Sequence, residues 1–339
     1  MNTSKRLIRY APDGDLGWDD IYDWMIDLRS HAHVPASSFA VTTVFKAQVA
    51  GQGAWYFGGV NVEVADHRLS THGEEGSIAA AVTALGRHVE LVEGWVMGAP
   101  QAFQRGEAHE LADLHVACCG KCRQQISGFG GADMPIHAVS LNGGKESTTL
   151  GEQLPNIFSF RQFAPELLEA GPQDAVVPDP GQAADRLFRQ GPLTETEIID
   201  WMQLLEAADF ASRHGQHAVL RLQDDLYVAG TSIEEAAFVS INPIQAALPI
   251  ACILSQATPQ VQEVWTTRID REGNVSASGL TLSALQSLIE FAGQGIETPI
   301  HLCADTSVQT PPTLGKAAAY APTLEAGNQS SGRTTTSPV

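Results

Sequence analysis

The chain repeats itself, and this repeat restricts the possible folds more than any other feature. "YFGGVNVEV" (Tyr56 to Val64) lies over "YVAGTSIEE" (Tyr227 to Glu235) at a constant offset of 171 residues. Kept without a gap, the offset sets "THGEEGSIAAA" over "INPIQAALPIA". Each half then carries a strand, a loop and an apolar helix, which predicts two tandem copies of one α/β domain. Under this alignment Asn61 falls on Ser232, Glu63 on Glu234, His72 on Pro243 and Glu74 on Gln245. The helix persists in the second copy while most of the polar residues ahead of it change.

Local patterns fill in the rest. Residues 1–17 read as a polar N-terminal tail. In "DDIYDWMIDLRSHAH" the residues Ile21, Trp24, Met25 and Leu28 share one helical face. "SSFAVTTVFKAQV" and "GAWYFGGVNVEV" read as strands on either side of a glycine turn. "STHGEEGSIAAAVTALG" reads as a helix, with Ser70 or Thr71 as its cap and Gly86 as its stop. "HVELVEGWVMGAP" and "PIHAVSLNGG" are further strands, and "GKCRQQISGFGG" is a short helix stopped by glycines. These elements place a first domain at 18–163. Residues 164–190 hold four prolines and little periodicity, and read as a linker. A second domain at 191–312 opens with the amphipathic "TETEIIDWMQLLEAADFASRHG". "GNQSSGRTTTSPV" at the end is poor in apolar side chains, and residues 313–339 read as a disordered tail.

Composition narrows the function. The 339 residues are 43% hydrophobic and 17% charged, which is globular. The longest apolar run, "AALPIACIL", is far too short to cross a bilayer, and the N-terminus lacks a signal-peptide core. A cytoplasmic protein without membrane contact is expected. Lys and Arg number 20 against 39 Asp and Glu, a net charge of -19, which disfavours a polynucleotide partner.

Three of the five cysteines stand at 118, 119 and 122. Cys119 and Cys122 form a C-x-x-C pair at a helix start, where the dipole favours thiolates. A metal site, a redox pair and coincidence all remain open for the pair alone. His72 and Glu74 begin another helix. Alone, a histidine at a helix start reads first as a polar surface residue. Together, one His and two Cys supply the three ligands of a catalytic zinc, and an adjacent carboxylate can move protons.

The order H-x-E followed by C-x-x-C is that of the zinc deaminases of nucleobases. "GGVNVEV…THGEEGSIAAA…CCGKCRQ" resembles the cytidine deaminase family, in its larger two-domain homodimeric type. The resemblance implies a three-layer αβα fold with a mixed sheet, present as two tandem copies, the second free of zinc. It implies one Zn²⁺ per chain on His72, Cys119 and Cys122, and Glu74 as the catalytic acid and base. It also implies that Asn61 and Glu63 bind the ribose, that the Gly73 N–H meets the pyrimidine carbonyl, and that Phe39 and Val41 wall the base. Phe158 matches an aromatic wall that a partner subunit supplies, so the active site would be completed across a homodimer. Likewise Ile233 to Phe238 would line the neighbour's pocket. The implied reaction converts cytidine or 2′-deoxycytidine to uridine or 2′-deoxyuridine and ammonia, in pyrimidine salvage.

Three departures stand out. Gly73 replaces the usual alanine, Cys118 replaces a proline, and His72 and Cys119 lie 47 residues apart, with the extra residues in "APQAFQRGEAHELADLH". Cys118 reads as a spare thiol. The long connection keeps another aminopyrimidine nucleoside open as substrate. A polynucleotide-editing deaminase and a non-catalytic zinc-binding relative are further readings.

Overall fold

In a computed structural model, which describes residues 4–49, 52–166, 178–208, 214–237, 240–270, 274–304, 307–309 and 313–317, the repeat becomes two sheets of matching topology. The first copy runs α1 (Ser4–Leu7), β1 (Ile8–Ala11), α2 (Trp18–Arg29), β2 (Phe39–Gln48), β3 (Ala54–Val60), α3 (Gly73–Leu85), β4 (Glu90–Pro100), α4 (Gly120–Ile126), β5 (Pro135–Val139) and β6 (Lys145–Thr149). The second runs α5 (Pro180–Leu187), β7 (Phe188–Gln190), α6 (Glu195–Gln203), β8 (His214–Arg221), β9 (Leu226–Thr231), α7 (Pro243–Leu254), β10 (Glu263–Asp270), β11 (Val275–Ser276), α8 (Leu282–Leu288), β12 (Ile300–Ala304) and β13 (Ser307–Gln309). Strand order is β1-β3-β2-β4-β5-β6 in one sheet and β7-β9-β8-β10-β12-β13 in the other, with β11 against β10. The β4·β5 and β10·β12 pairs are parallel and the other pairs antiparallel, so both sheets are mixed.

Helices cover both faces of each sheet. On the first, consecutive glycines of β3 separate them. A Cβ at Gly58 would meet Leu28 and Trp24 of α2, and one at Gly59 would collide with the backbone of Gly73 and Ser77 of α3. All thirteen residues of α3 and all twelve of α7 are buried. Their lack of an exposed face follows from packing against their own sheets and against each other. The contacts between copies are reciprocal: α1 packs on α7, α5 on α3, α3 on β9 and α7 on β3.

Several expectations need correction. Residues 4–11, read as part of a polar tail, form α1 and β1, and Leu7 is fully buried under the second copy. Of the segment read as a linker, 180–190 forms α5 and β7, while 167–177 lies outside the described residues, as do 1–3 and 318–339. Helix α6 ends at Gln203, well before Gly215, because Ala208 must run back beside Ile233. Neither Ser70 nor Thr71 caps α3: its N-cap is His72. Ser70 Oγ instead accepts from the Val64 N–H, and Thr71 Oγ1 donates to the Gln245 carbonyl.

The repeat alignment also slips by one residue. Val62 pairs with Thr71, and Ile233 with Ile241, so the second loop is one residue shorter. Within the helices His72 therefore falls on Asn242 and Glu74 on Ile244, not on Pro243 and Gln245. Under either alignment the second copy has no histidine at the His72 position and no carboxylate at the Glu74 position. One repeat signal escaped the sequence reading: "IYDWMIDL" and "IIDWMQLL" place Trp24 and Trp201 in α2 and α6, each under an arginine of the first strand of its copy, Arg9 at 4.2 Å and Arg189 at 4.7 Å.

Candidate active site

Two helices begin at the site. Strand β3 leads into a loop whose Val62 exchanges backbone hydrogen bonds with Thr71, which brings the chain round to start α3 at His72. Strand β4 leads through the long connection to Cys119, the N-cap of α4, with Cys122 in its first turn. His72 Nδ1 lies 3.4 Å from Cys119 Sγ and 3.3 Å from Cys122 Sγ, and the two sulfurs are 3.5 Å apart. Tetrahedral zinc, with bonds of about 2.1 Å to nitrogen and about 2.3 Å to sulfur, needs N···S and S···S edges of about 3.6 and 3.8 Å. The triangle is within a few tenths of an ångström of that shape, and the donor set of one imidazole and two thiolates suits zinc. Among the described residues no other group of three metal-ligating side chains gathers in this way.

The electrostatics agree. Hydrogen bonds from Cys122, and then from His72, hold the Cys119 thiol down at about 3 despite its partial burial. His72 is raised by its hydrogen bond to Cys119. Cys122 shares the proton and is pushed well up. Glu74, in the first turn of α3, is 3% exposed, and burial raises its carboxyl above the usual range. The buried Cys118 thiol hydrogen-bonds to Glu74, and burial pushes it up. Cys118 is not part of the His72, Cys119, Cys122 cluster.

A cleft of about 360 Å³ opens onto these residues. His72, Glu74 and Cys119 form its floor, and Phe39, Val41, Val96 and Val116 an apolar wall. Asn61, Glu63, Ser37 and His67 line its polar end. Asn61 clamps β2: its Oδ1 accepts from the Val41 N–H at 2.9 Å, and its Nδ2 donates to the Phe39 carbonyl at 3.0 Å. The amide thereby fixes the strand that carries both wall residues. Burial would raise Glu63, but hydrogen bonds from Ser37 and Ala36 outweigh it and leave the carboxyl lowered. Gly73 also lines the cleft, and a Cβ there would press on Val41 O at 3.2 Å and on Thr43 at 3.3 Å. The tight fit explains glycine at this position.

Phe158 does not line this cleft. It is 51% exposed, stacked on Phe163 at 4.9 Å between ring centres, and its carbonyl accepts from Gln124 of α4. None of residues 233–237 lines the cleft either, and Phe238 lies outside the described residues. Glu235 instead accepts from Gln124 Nε2 at 3.1 Å, within the same chain. The second copy reaches the site from a further side: Gln245 Nε2 donates to the Leu69 carbonyl at 2.9 Å, two residues before Thr71.

Sequence reasoning missed Val96, Val116, Ala117, Ser37 and His67 as lining residues. Val116 and Ala117 come from the long connection, whose placement depends on distant anchors. Buried Arg29 donates to the carbonyls of Ala99, Pro100 and Phe103, and Asn142 ties Gly106, Glu107 and Asp113. An arginine on an otherwise apolar helix face was the available signal.

No family model matches the sequence. A cytidine deaminase of Sporosarcina psychrophila is 30% identical over 131 residues, which span 39% of this chain and 83% of that protein. Among solved structures, the cytidine deaminase of Burkholderia pseudomallei aligns at 23% identity over 42% of this chain and 100% of its own, with a TM-score of 0.34. That of Mycobacterium leprae aligns at 24% identity over 42% and 100%, with a TM-score of 0.30.

Proposed function

The chain belongs to the cytidine deaminase family, and on that premise we propose that it hydrolyses cytidine or 2′-deoxycytidine to the uridine product and ammonia with one zinc ion. The observation that carries this reading is the triangle of His72 Nδ1, Cys119 Sγ and Cys122 Sγ beside the buried Glu74, on the floor of a cleft sized for a nucleoside. His72, Cys119 and Cys122 would hold the ion. When bound, zinc supplies Lewis-acid polarisation that makes water nucleophilic near neutral pH.

Glu74 carries the protons. It takes one from water as the oxygen bonds to C4 and delivers it to N3. It then moves the second proton from the added oxygen to the amine, the C4–N bond breaks, and ammonia leaves. A carboxyl raised by burial suits both directions of transfer. The Gly73 N–H would meet the pyrimidine carbonyl, with Phe39 and Val41 against the ring. Asn61 and Glu63 would receive the ribose hydroxyls, Glu63 as an ionised acceptor.

The first test is direct. Zinc-loaded protein with cytidine should show the ultraviolet change to uridine with matching ammonia release, and zinc chelation should abolish both. Stoichiometric zinc with no turnover of cytidine or deoxycytidine would refute the substrate assignment. One observation favours a second reading, a different aminopyrimidine nucleoside: Val116 and Ala117 of the long connection line the cleft. A nucleoside panel separates the two.

The reading extends to assembly. Phe158 and Phe163, each 51% exposed and mutually stacked, present an aromatic face beside α4 suited to a second copy of the chain. Sedimentation should give a dimer, and Phe158→Ala should raise KM. No helix among the described residues is long and apolar enough to cross a membrane.

A further inference from the structure

Glu75 has no part in the reaction described above, yet it is among the most deeply buried carboxylates of the chain. It follows Glu74 on α3, and successive helical side chains diverge by about 100°. Glu74 points to the cleft floor and Glu75 points instead toward α4. Its side chain is 1% exposed. Three donors converge on it. The His72 N–H reaches Oε2 at 2.8 Å. Lys121 Nζ lies 2.9 Å from Oε1 and 3.1 Å from Oε2. Gln125 Nε2 donates to Oε1 at 2.8 Å.

The identities of these donors matter. His72 is a metal-ligating candidate on the first helix. Lys121 stands between Cys119 and Cys122, and Gln125 lies one turn further along α4. The carboxylate therefore bridges the start of one ligand-bearing helix to the first two turns of the other. A buried charge satisfied on both oxygens is costly to disturb, so the two helix starts are held in one relative position. The matching position of α7 is Gln245, which bonds to its own cap residue Asn242 and to Leu69 rather than to α8, the crossover helix that stands in the place of α4.

We propose that Glu75, Lys121 and Gln125 form a clip that sets His72, Cys119 and Cys122 at metal-binding spacing before the ion arrives. They are positioning residues, and the proposal rests on the metal reading given above. Residues that orient ligands from behind typically contribute about 10–100-fold in metal affinity.

The test is zinc affinity by competition with a chromogenic chelator, together with the visible spectrum of the cobalt(II)-substituted protein. Lys121→Met leaves the buried carboxylate with only neutral donors, and should weaken zinc by about 10–100-fold and broaden the tetrahedral cobalt bands. Glu75→Gln should weaken it too. The double variant should lose less than the sum of the two single losses, because both break one unit. KM for cytidine should stay unchanged in zinc-saturated protein. Lys121→Arg, which keeps the charge, should recover much of the affinity. Should Lys121→Met fail to fold by circular dichroism, Gln125→Ala removes one neutral donor and no charge, and should still lower affinity measurably. Wild-type affinity in both single variants, or fully additive losses, overturns the clip while the metal reading stands. Wild-type protein that takes up no zinc overturns both.

Discussion

The two copies share a strand order and part company at one helix start. In the second copy Asn242 caps α7 with its own side chain, its Oδ1 accepting from the Ile244 and Gln245 N–H groups at 3.0 and 2.9 Å. In the first copy the cap position belongs to His72, whose ring turns to Cys119 and Cys122. A good side-chain cap is worth about 1 kcal/mol. Both copies keep the reciprocal bond from the cap residue's N–H to the N3 side chain, Glu75 in one and Gln245 in the other. Behind the cap, Glu74 is matched by Ile244, so the carboxyl proposed to carry protons in one copy is matched by an apolar side chain in the other.

The second copy also supports the first. Pro249 lies inside α7 and has no N–H to give the carbonyl four residues back, that of Gln245. This carbonyl accepts from Thr71 Oγ1 at 3.3 Å, next to His72 in sequence. The carbonyl freed by this proline therefore anchors the segment that leads into His72.

Substitutions at matched positions test this division of labour. The largest expected effect is on chemistry. Glu74→Ala should lower turnover by about 10²–10⁴-fold while zinc content holds, whereas Ile244→Ala should lower stability and leave turnover unchanged. Near-full turnover in Glu74→Ala would break the comparison. Next come the paired glycines of β3 and β9. A Cβ at Gly59 meets the backbone of Gly73 and Ser77, and one at Gly230 meets that of Pro243 and Ala247. Each change to alanine should cost about 1–3 kcal/mol in urea unfolding. Gly59→Ala alone should also weaken zinc, because it displaces the first turn of α3. Equal zinc loss from Gly230→Ala would show that the copies are not separable in function.

The last effect is absent at neutral pH and develops only on acidification. Thr42 of β2 pairs with Val60, and the matching β8 residue, His217, pairs with Thr231. His217 is 1% exposed, and burial lowers it to about 3 from its ordinary 6.5. Between these values the unfolded chain binds a proton that the folded chain refuses. Stability is therefore complete above 6.5 and falls as pH drops through the window, by about 1.4 kcal/mol per unit at most. Melting temperature against pH should be flatter for His217→Gln than for the wild type. Parallel curves would show that this histidine is not the group responsible.

Much of the site was legible because its chemistry is local. His72, Gly73 and Glu74 are consecutive, Cys119 and Cys122 are three apart, and Asn61 and Glu63 flank one residue. Helical face and strand alternation were legible for the same reason, as with Trp24, Met25 and Leu28. The one-residue slip in the repeat was not, since an ungapped match of strands says nothing about loop length. Only the pairing of Ile233 with Ile241 shows it. Residues 4–11 looked like a tail because four residues of β1 are too few for a pattern, and the partner strand β3 supplies the reason to fold.

By itself the sequence determined which donor atoms this chain offers a metal, which carboxylate stands beside them, and that its second copy has lost both. Residue type and spacing along one helix turn suffice for that. Tertiary structure decided that two helix starts 47 residues apart meet within 3.5 Å. It decided that Lys121 reaches Glu75, and that the long connection supplies part of the cleft wall. Those outcomes depend on how sheets, helices and buried charges pack at long range, and no local period in the chain encodes them.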